Sequence, residues 1–438
     1  MSPDSILPQP NEMSFHEGIK RSTNDQVLLA LSILIQVSLA FFFGHAYDMR
    51  IFLSTGYLVG TGQNPYIAQN LTSIFHNSSF QGITSFGYPP PWALILGLIY
   101  QVTYRIIPNF LIYNLAAKLP VIAANIGLAY LVRHILEREA VSEKRSRIAW
   151  IFMLFNPSLL LFSSAWGQFD SLVAFLSLLS LYLLSQGKLT SPAILLGLAI
   201  AFKPIALPLL PVVLIYLGKR SLKRSLKYLA LFSTSLVIFC VIPFLIFGWD
   251  PAVIFQHWNA HFSVGGGLSF MTFLEMVKNS YQLTGWWWLA GWVWVPVLGI
   301  ATYALRSGIE GFTDLIRKSL ALILVFFLCR AWLSEPNVIV ILPLVVILTS
   351  LQELDRLTQA AIWVLPLLFS FFNTSIAQLF FPSLPALMEE FLNLAVEFNP
   401  ARFVLRSVVV IAWLVTGWWI VFLCFKKSAA IRTERMAG

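Results

Sequence analysis

Charge is what this chain has least of. Asp, Glu, Lys and Arg together make up 11% of its 438 residues, less than half the share of an ordinary soluble domain. With 58% hydrophobic residues and a mean hydropathy of +0.76, that scarcity excludes a water-soluble fold and leaves a polytopic membrane protein. Cysteine is also sparse. Cys240, Cys329 and Cys424 lie far apart in apolar runs, and an odd count builds no disulfide framework, so core packing is expected of them. No GxSxG, P-loop or GxGxxG pattern is present, which removes the common signatures of serine hydrolases, nucleotide triphosphatases and dinucleotide enzymes. No HExxH or cysteine cluster marks a zinc site. No internal repeat is visible either, which lowers the case for a two-halved secondary transporter.

Long apolar runs are what the chain does have. Stretches near 26–46, 92–107, 110–133, 148–165, 168–186, 191–217, 227–247, 286–305, 319–333, 336–350, 360–381 and 402–425 give about twelve candidate spans. Their continuous hydrophobicity predicts helices rather than barrel strands. The expected fold is therefore an all-α membrane bundle: a disordered cytoplasmic tail over 1–25, one transmembrane domain over 26–425 and a basic cytoplasmic tail over 426–438. The net charge of +9 is spread between the spans, most densely at Lys219, Arg220, Lys223, Arg224 and Lys227, and marks cytoplasmic loops. Both termini are then cytoplasmic. Nucleic acid is not an expected partner; membrane lipid is.

The same rule puts the long connections 47–91 and 248–285, and a shorter one at 382–401, on the outer side. Asp48 faces outward at the mouth of the first span, in a stretch expected to be a loop. Asn70-Leu-Thr72 and Asn77-Ser-Ser79 match the glycosylation sequon. Between 108 and 217 the pattern allows two topologies, according to whether the helices break at Lys118-Leu119-Pro120 and Lys203-Pro204; broken helices are the favoured version, since backbone freed by proline is tolerated where it lines a polar cavity.

A charge near the bilayer centre costs about 2.5–3.5 kcal/mol on insertion scales, so the few in the spans need reasons. Lys118, Asp170, Lys203, Arg330 and Glu335 are those few. Asp170 could cap the helix after it, or act with Gln168 and Trp166 on a sugar ring. Lys203, beside a helix-breaking proline, is either paired with Asp170 or Glu335 or is a phosphate ligand; Arg330 has the same two readings, with Glu335 as its local partner. His257 and His261 share a helix face without further metal ligands, which leaves His261 as a candidate substrate donor and Trp258 as an interfacial anchor. For Asp48 the plain alternative is a cap on a helix starting near Met49.

An acid after the first span followed by Gly62-Gln63-Asn64-Pro65-Tyr66, then Tyr88-Pro89-Pro90-Pro91, Asn156-Pro157, Trp166-Gly167-Gln168-Phe169-Asp170-Ser171, Phe202-Lys203-Pro204 and Ser334-Glu335-Pro336-Asn337, resembles the GT-C integral-membrane glycosyltransferases. Within them the pattern is most similar to polyprenyl- or dolichyl-phosphate-mannose-dependent mannosyltransferases, relatives of the GPI mannosyltransferase I catalytic subunit. The resemblance implies a GT-C-like bundle with a long first extracytoplasmic loop. It implies transfer of a hexose, with inversion, to a glycolipid, lipid-linked oligosaccharide or protein acceptor, with Asp48 as the base. It makes Lys203 and Arg330 the candidates for the donor phosphate, and Tyr66, Trp166, Gln168, Asp170, His261 and Glu335 those for sugar or acceptor. No cofactor is expected. Tyr47-Asp48-Met49 stands where a paired Asp-x-Asp would bind metal, which weakens the case for a divalent ion and leaves it open. The competing function is a flippase or secondary transporter for lipid-linked sugars, in which Asp48 would be dispensable. Plasma membrane and endoplasmic reticulum are both compatible with the sequence.

Overall fold

A computed structural model describes residues 23–81 and 86–437, with the side chains of 257, 258, 260, 261, 307 and 427–437 left out. The expected tail over 1–25 lies almost wholly outside the described residues. The chain is mostly helical, and the strands among the described residues are two-residue segments, Gly266–Gly267 and Trp332–Leu333, paired in parallel. Among the described residues six helices are long and apolar enough to cross a membrane: Thr23–Phe42, Phe110–Arg138, Glu143–Ala165, Leu222–Phe247, Gly285–Ala304 and Asn399–Lys426. Six further apolar helices are shorter: Pro90–Val102, Asp170–Ser185, Thr190–Phe202, Pro204–Gly218, Glu335–Ser350 and Arg356–Phe372. The chain is thus a multi-pass membrane protein in which several apolar runs are cut short by breaks.

Each break has a local cause. Asn156 ends the helix Glu143–Phe155, and its side chain accepts a 3.0 Å hydrogen bond from the Leu159 amide to start the next turn, with Pro157 at the position where a missing N–H costs nothing. Residues Leu160–Ala165 then widen into a π-helical turn, a distortion that recurs at functional sites. Gly167, at φ +99°, reverses the chain; a Cβ there would lie 2.6 Å from Met49 Cε and 2.8 Å from Lys118 Cε. Lys203 is extended before Pro204, as the sequence predicted. Arg330 is extended after Gly311–Cys329, and the strand Trp332–Leu333 that follows is stitched to Gly266–Gly267 of the outer connection 248–285.

Two expectations are corrected, and a third connection gains detail. Phe110–Arg138 runs through Lys118 and Pro120 as one 29-residue helix, because the Lys118 ammonium is not freeing backbone of its own but holding that of its neighbours. The connection 47–91 does not open as a loop: Ala46–Gly60 is a helix, short of the length of a span, with nine buried residues. It packs on Pro90–Val102, and Gly56 allows the close approach, since a Cβ there would fall 2.9 Å from the Leu96 carbonyl oxygen. The connection 382–401 contains the helix Pro385–Glu397, none of whose residues is buried.

Lys118 is fully buried. It donates to the carbonyls of Phe43, Ala40 (3.4 Å) and Ala165 (2.8 Å), while Asn114, one turn earlier, donates to those of Ala40 (2.7 Å), Phe41 (3.1 Å) and Phe43 (2.8 Å). The last carbonyls of a helix have no partners within it, and two side chains supply them here. Lys118→Met keeps the volume, strands the Ala165 carbonyl and leaves those of Ala40 and Phe43 to Asn114 alone. We expect a loss of about 2–3 kcal/mol, read as a lower melting temperature of the purified protein in detergent.

Candidate active site

The breaks converge. The turn at residues 43–45, the segment 166–169, the bend at Lys203 and the stretch 330–337 meet, bringing together residues more than 280 positions apart. His45 is the residue just before Ala46–Gly60 and Asp48 lies in its first turn, where a carboxylate is favoured by the helix dipole. The Trp166 indole Nε1 donates to Asp48 Oδ2 at 2.6 Å, and the His45 amide donates to the Trp166 carbonyl at 3.2 Å. The His45 and Trp166 rings stack at 4.2 Å with 8° between planes. His45 Nδ1 lies 3.1 Å from Asp48 Oδ2, and the Asp48 side chain is 14% exposed. Burial pushes the Asp48 carboxyl up, but the adjacent His45 ring and the hydrogen bonds of Trp166 and Gln168 outweigh it and hold its pKa below the ordinary carboxylate value. Asp48 is therefore an ionised acceptor at neutral pH and stays one to lower pH than a free carboxylate.

A second cluster adjoins the first. Lys203 Nζ donates to both Asp170 oxygens at 3.0 and 2.8 Å and to Gln168 Oε1 at 3.3 Å, and Asn337 Nδ2 donates to Asp170 Oδ1 at 3.0 Å. Of the two readings of Asp170, capping falls away: its carboxylate makes no cap bond and is in the ion pair. Lys203 takes Asp170 as its partner, and its ammonium also sits 5.3 Å from the Tyr88 ring centroid. Tyr88 is within electrostatic reach of Asp48, Asp170, Lys203 and Arg330, which places it at the junction of the two clusters.

Arg330 and Glu335 do not pair with each other. Glu335 accepts from Asn373 Nδ2 and Ser375 Oγ, both at 3.1 Å. The Arg330 guanidinium stacks 5.1 Å from the Phe326 ring centroid. It lines a shallow recess, little larger than one water molecule, with Phe262, Gly291, Trp294, Ala331 and Trp332. Among the described residues no carboxylate pairs with it. Tyr66 stands apart from this assembly: it is 1% exposed and packed against Phe86, Phe244 and Trp249, which makes it an anchor of the outer connection. His261 lies on the helix Ala252–Phe262, and its side chain is outside the described ones. No group of three or more His, Cys, Asp and Glu side chains gathers as a metal site among the described residues.

Residues 86–351, well over half of the chain, match the model of glycosyltransferase family 87. The chain belongs to glycosyltransferase family 87. Over 242 residues it is 26% identical to GPI mannosyltransferase 1 of Candida albicans (strain SC5314 / ATCC MYA-2876), a match covering 51% of this chain and 56% of that protein. It thus spans about half the length of the curated relative it matches. Among solved structures it is similar to ArnT from Cupriavidus metallidurans bound to undecaprenyl phosphate, at 17% identity and a TM-score of 0.47 over 92% of this chain and 76% of that one. The apo state of that protein gives 16% identity and a TM-score of 0.49, over 91% and 75%. The membrane glycosyltransferase read from the motifs is borne out by the family match. That match takes in the Trp166–Ser171 motif, Lys203, Arg330 and Glu335 of this family 87 chain and begins after Asp48.

Three residues of the assembly escape a reading of the sequence alone. His45 had a signal, its position three residues before Asp48 at the start of a helix. Tyr88 and Asn337 lie inside motifs that were singled out, yet nothing local shows that they turn toward Lys203 and Asp170. Lys203→Met leaves the Asp170 carboxylate buried, and we expect it to cost about 3–5 kcal/mol. The double change Lys203→Met with Asp170→Leu should recover much of that loss in chemical denaturation.

Proposed function

We propose that this chain transfers a hexose, with mannose the first choice, from a polyprenyl- or dolichyl-phosphate sugar to an acceptor hydroxyl, with inversion at the anomeric carbon. The observation that carries the reading is the Asp48 carboxylate, ionised and oriented by Trp166 and His45, with a guanidinium, Arg330, that shares Tyr88 as an electrostatic neighbour and that no carboxylate neutralises among the described residues. The named activity of the Candida albicans relative supports mannose and a glycolipid acceptor; a lipid-linked oligosaccharide or a protein are the other acceptor classes. A GT-C-like bundle with the site facing the extracytoplasmic or lumenal side and both termini cytoplasmic fits the distribution of basic residues.

The chemistry needs one base. Asp48 takes the proton of the acceptor hydroxyl as that oxygen attacks the anomeric carbon, the bond from that carbon to the phosphate oxygen breaks, and its electron pair stays on the phosphate. A lipid phosphate departs without being protonated, so no general acid is required. This is the base half of an inverting displacement. Arg330 stabilises the charge that develops on the phosphate. Lys203 contributes less, its charge being matched already by Asp170. Trp166, read first as a sugar platform, serves here to aim Asp48, and Gln168, Asp170 and Glu335 form the polar wall on which sugar or acceptor hydroxyls would rest.

Purified protein in lipid, given radiolabelled polyprenyl-phosphate mannose and a glycolipid extract, should transfer label to lipid. Asp48→Asn, which keeps size and polarity, should lower the rate by about 10²–10⁴-fold while still binding donor; equal transfer by both would remove Asp48 from the mechanism. Arg330→Gln should reduce kcat by about 10²-fold or more, with no loss of thermal stability comparable to that of Lys203→Met.

A further inference from the structure

His45 belongs to no motif identified in the sequence, yet it touches both members of the Asp48–Trp166 pair. Its amide is tied to the Trp166 carbonyl, its carbonyl accepts from the Met49 amide at 2.9 Å, its ring is stacked on the Trp166 indole, and its Nδ1 stands 3.1 Å from Asp48 Oδ2. The side chain is 9% exposed, so water does not compete for that nitrogen. The contact lies off the line of a full hydrogen bond, which makes it chiefly electrostatic. A bare nitrogen lone pair facing a carboxylate oxygen at this distance would be repelled, so the contact assigns a proton to Nδ1. Trp166 Nε1 addresses the same oxygen. Oδ2 is therefore the oxygen held by Trp166 and nearest to His45, and Oδ1 is the one that neither ring addresses.

We propose that His45 is a positioning residue for the transfer reaction: its Nδ1–H, held by the stack on Trp166, keeps Asp48 ionised and turns Oδ1 toward the acceptor hydroxyl. The proposal rests on the reading of Asp48 as the base. The other charged and titratable groups around this pair are accounted for. From neighbouring elements, Lys203 and Tyr88 are in electrostatic reach of Asp48, and Glu335 of His45. Lys118 is engaged by the carbonyls of Phe43 and Ala165. On the same helix Arg50 turns away to the carbonyls of Ala46 (2.8 Å) and Ser79 (2.7 Å), and Tyr47 is half exposed. Among these, His45 alone puts an N–H within contact distance of Asp48 from a ring fixed in orientation by stacking on Trp166.

The test is the pH dependence of single-turnover mannose transfer by the full chain in lipid. His45→Phe keeps the stack and removes the N–H; His45→Asn keeps a donor where Nδ1 was and removes the stack. We expect the acid limb of the rate to move up by about one pH unit in His45→Phe, with donor KM near wild type, and to stay near its wild-type position in His45→Asn. An unmoved limb in His45→Phe, or equal movement in both variants, would overturn the proposal. Should His45→Phe fail to fold, His45→Gln replaces it, since its longer amide overlays the far ring nitrogen and not Nδ1, and its limb must move up. The two readings separate through Asp48→Asn: full activity in that variant sinks the base assignment, whereas an inactive Asp48→Asn beside an unmoved limb in His45→Phe sinks only the role of His45.

Discussion

A helix that stops inside a low-dielectric medium leaves carbonyls that water cannot satisfy, and the site of this protein is built on the solution to that constraint. The end of Thr23–Phe42 is met by Asn114 and Lys118, two side chains one turn apart on Phe110–Arg138. Because Lys118 also holds the carbonyl of Ala165, one buried ammonium fixes two chain segments at once: the one that leads into His45 and Asp48, and the one that leads into Trp166. It backs the 2.6 Å contact between Trp166 and Asp48 from behind, beside the direct tie of His45 to Trp166. The carbonyls themselves supply the counter-dipoles for a charge that would otherwise be costly to bury.

Packing of the second cluster follows a different logic. Asp170 and Lys203 are both almost inaccessible, and each satisfies the other, with Gln168 and Asn337 taking up remaining hydrogen-bonding capacity. A buried pair of this kind contributes little net stability but is costly to break. It locks the turn after Trp166 to the Lys203 bend and to the stretch that follows Arg330. Arg330 itself is left without a carboxylate partner, and this asymmetry separates a structural cation from one available to a ligand.

Much of this was legible in the sequence, and the failures share a cause. Composition and continuous apolar runs fixed the class, and the break at Lys203-Pro204 follows from the chemistry of proline. The matching break expected at Lys118-Leu119-Pro120 does not occur, because a lysine beside a proline reads the same whether it opens its own helix or closes another one. Ala46–Gly60 was read as loop since its polar and apolar residues alternate, yet its buried face is completed only by Pro90–Val102. The acids and cations of the site, His45 apart, were visible as rare charges in apolar surroundings. Their pairing was not: Glu335 is five residues from Arg330 but bonds to Asn373 and Ser375, and Tyr66 sits in a turn that resembles a ligand loop but points into an aromatic core. Pairings among residues far apart in the chain depend on where helices stop, and stopping points at membrane depth are set by tertiary contacts.

The π-helical turn at Leu160–Ala165 carries an implication for how this pocket can be inherited. A turn of that kind accommodates one residue more than an α-helical turn, so the helix before it and the Trp166 indole after it are out of phase by about 100° relative to a regular helix. Removing a single residue there would restore an ordinary helix and swing the indole away from Asp48 without altering any side chain of the site. The integrity of the pocket is therefore a property of chain length between Asn156 and Gly167, and insertions or deletions in that interval are more disruptive than most substitutions within it.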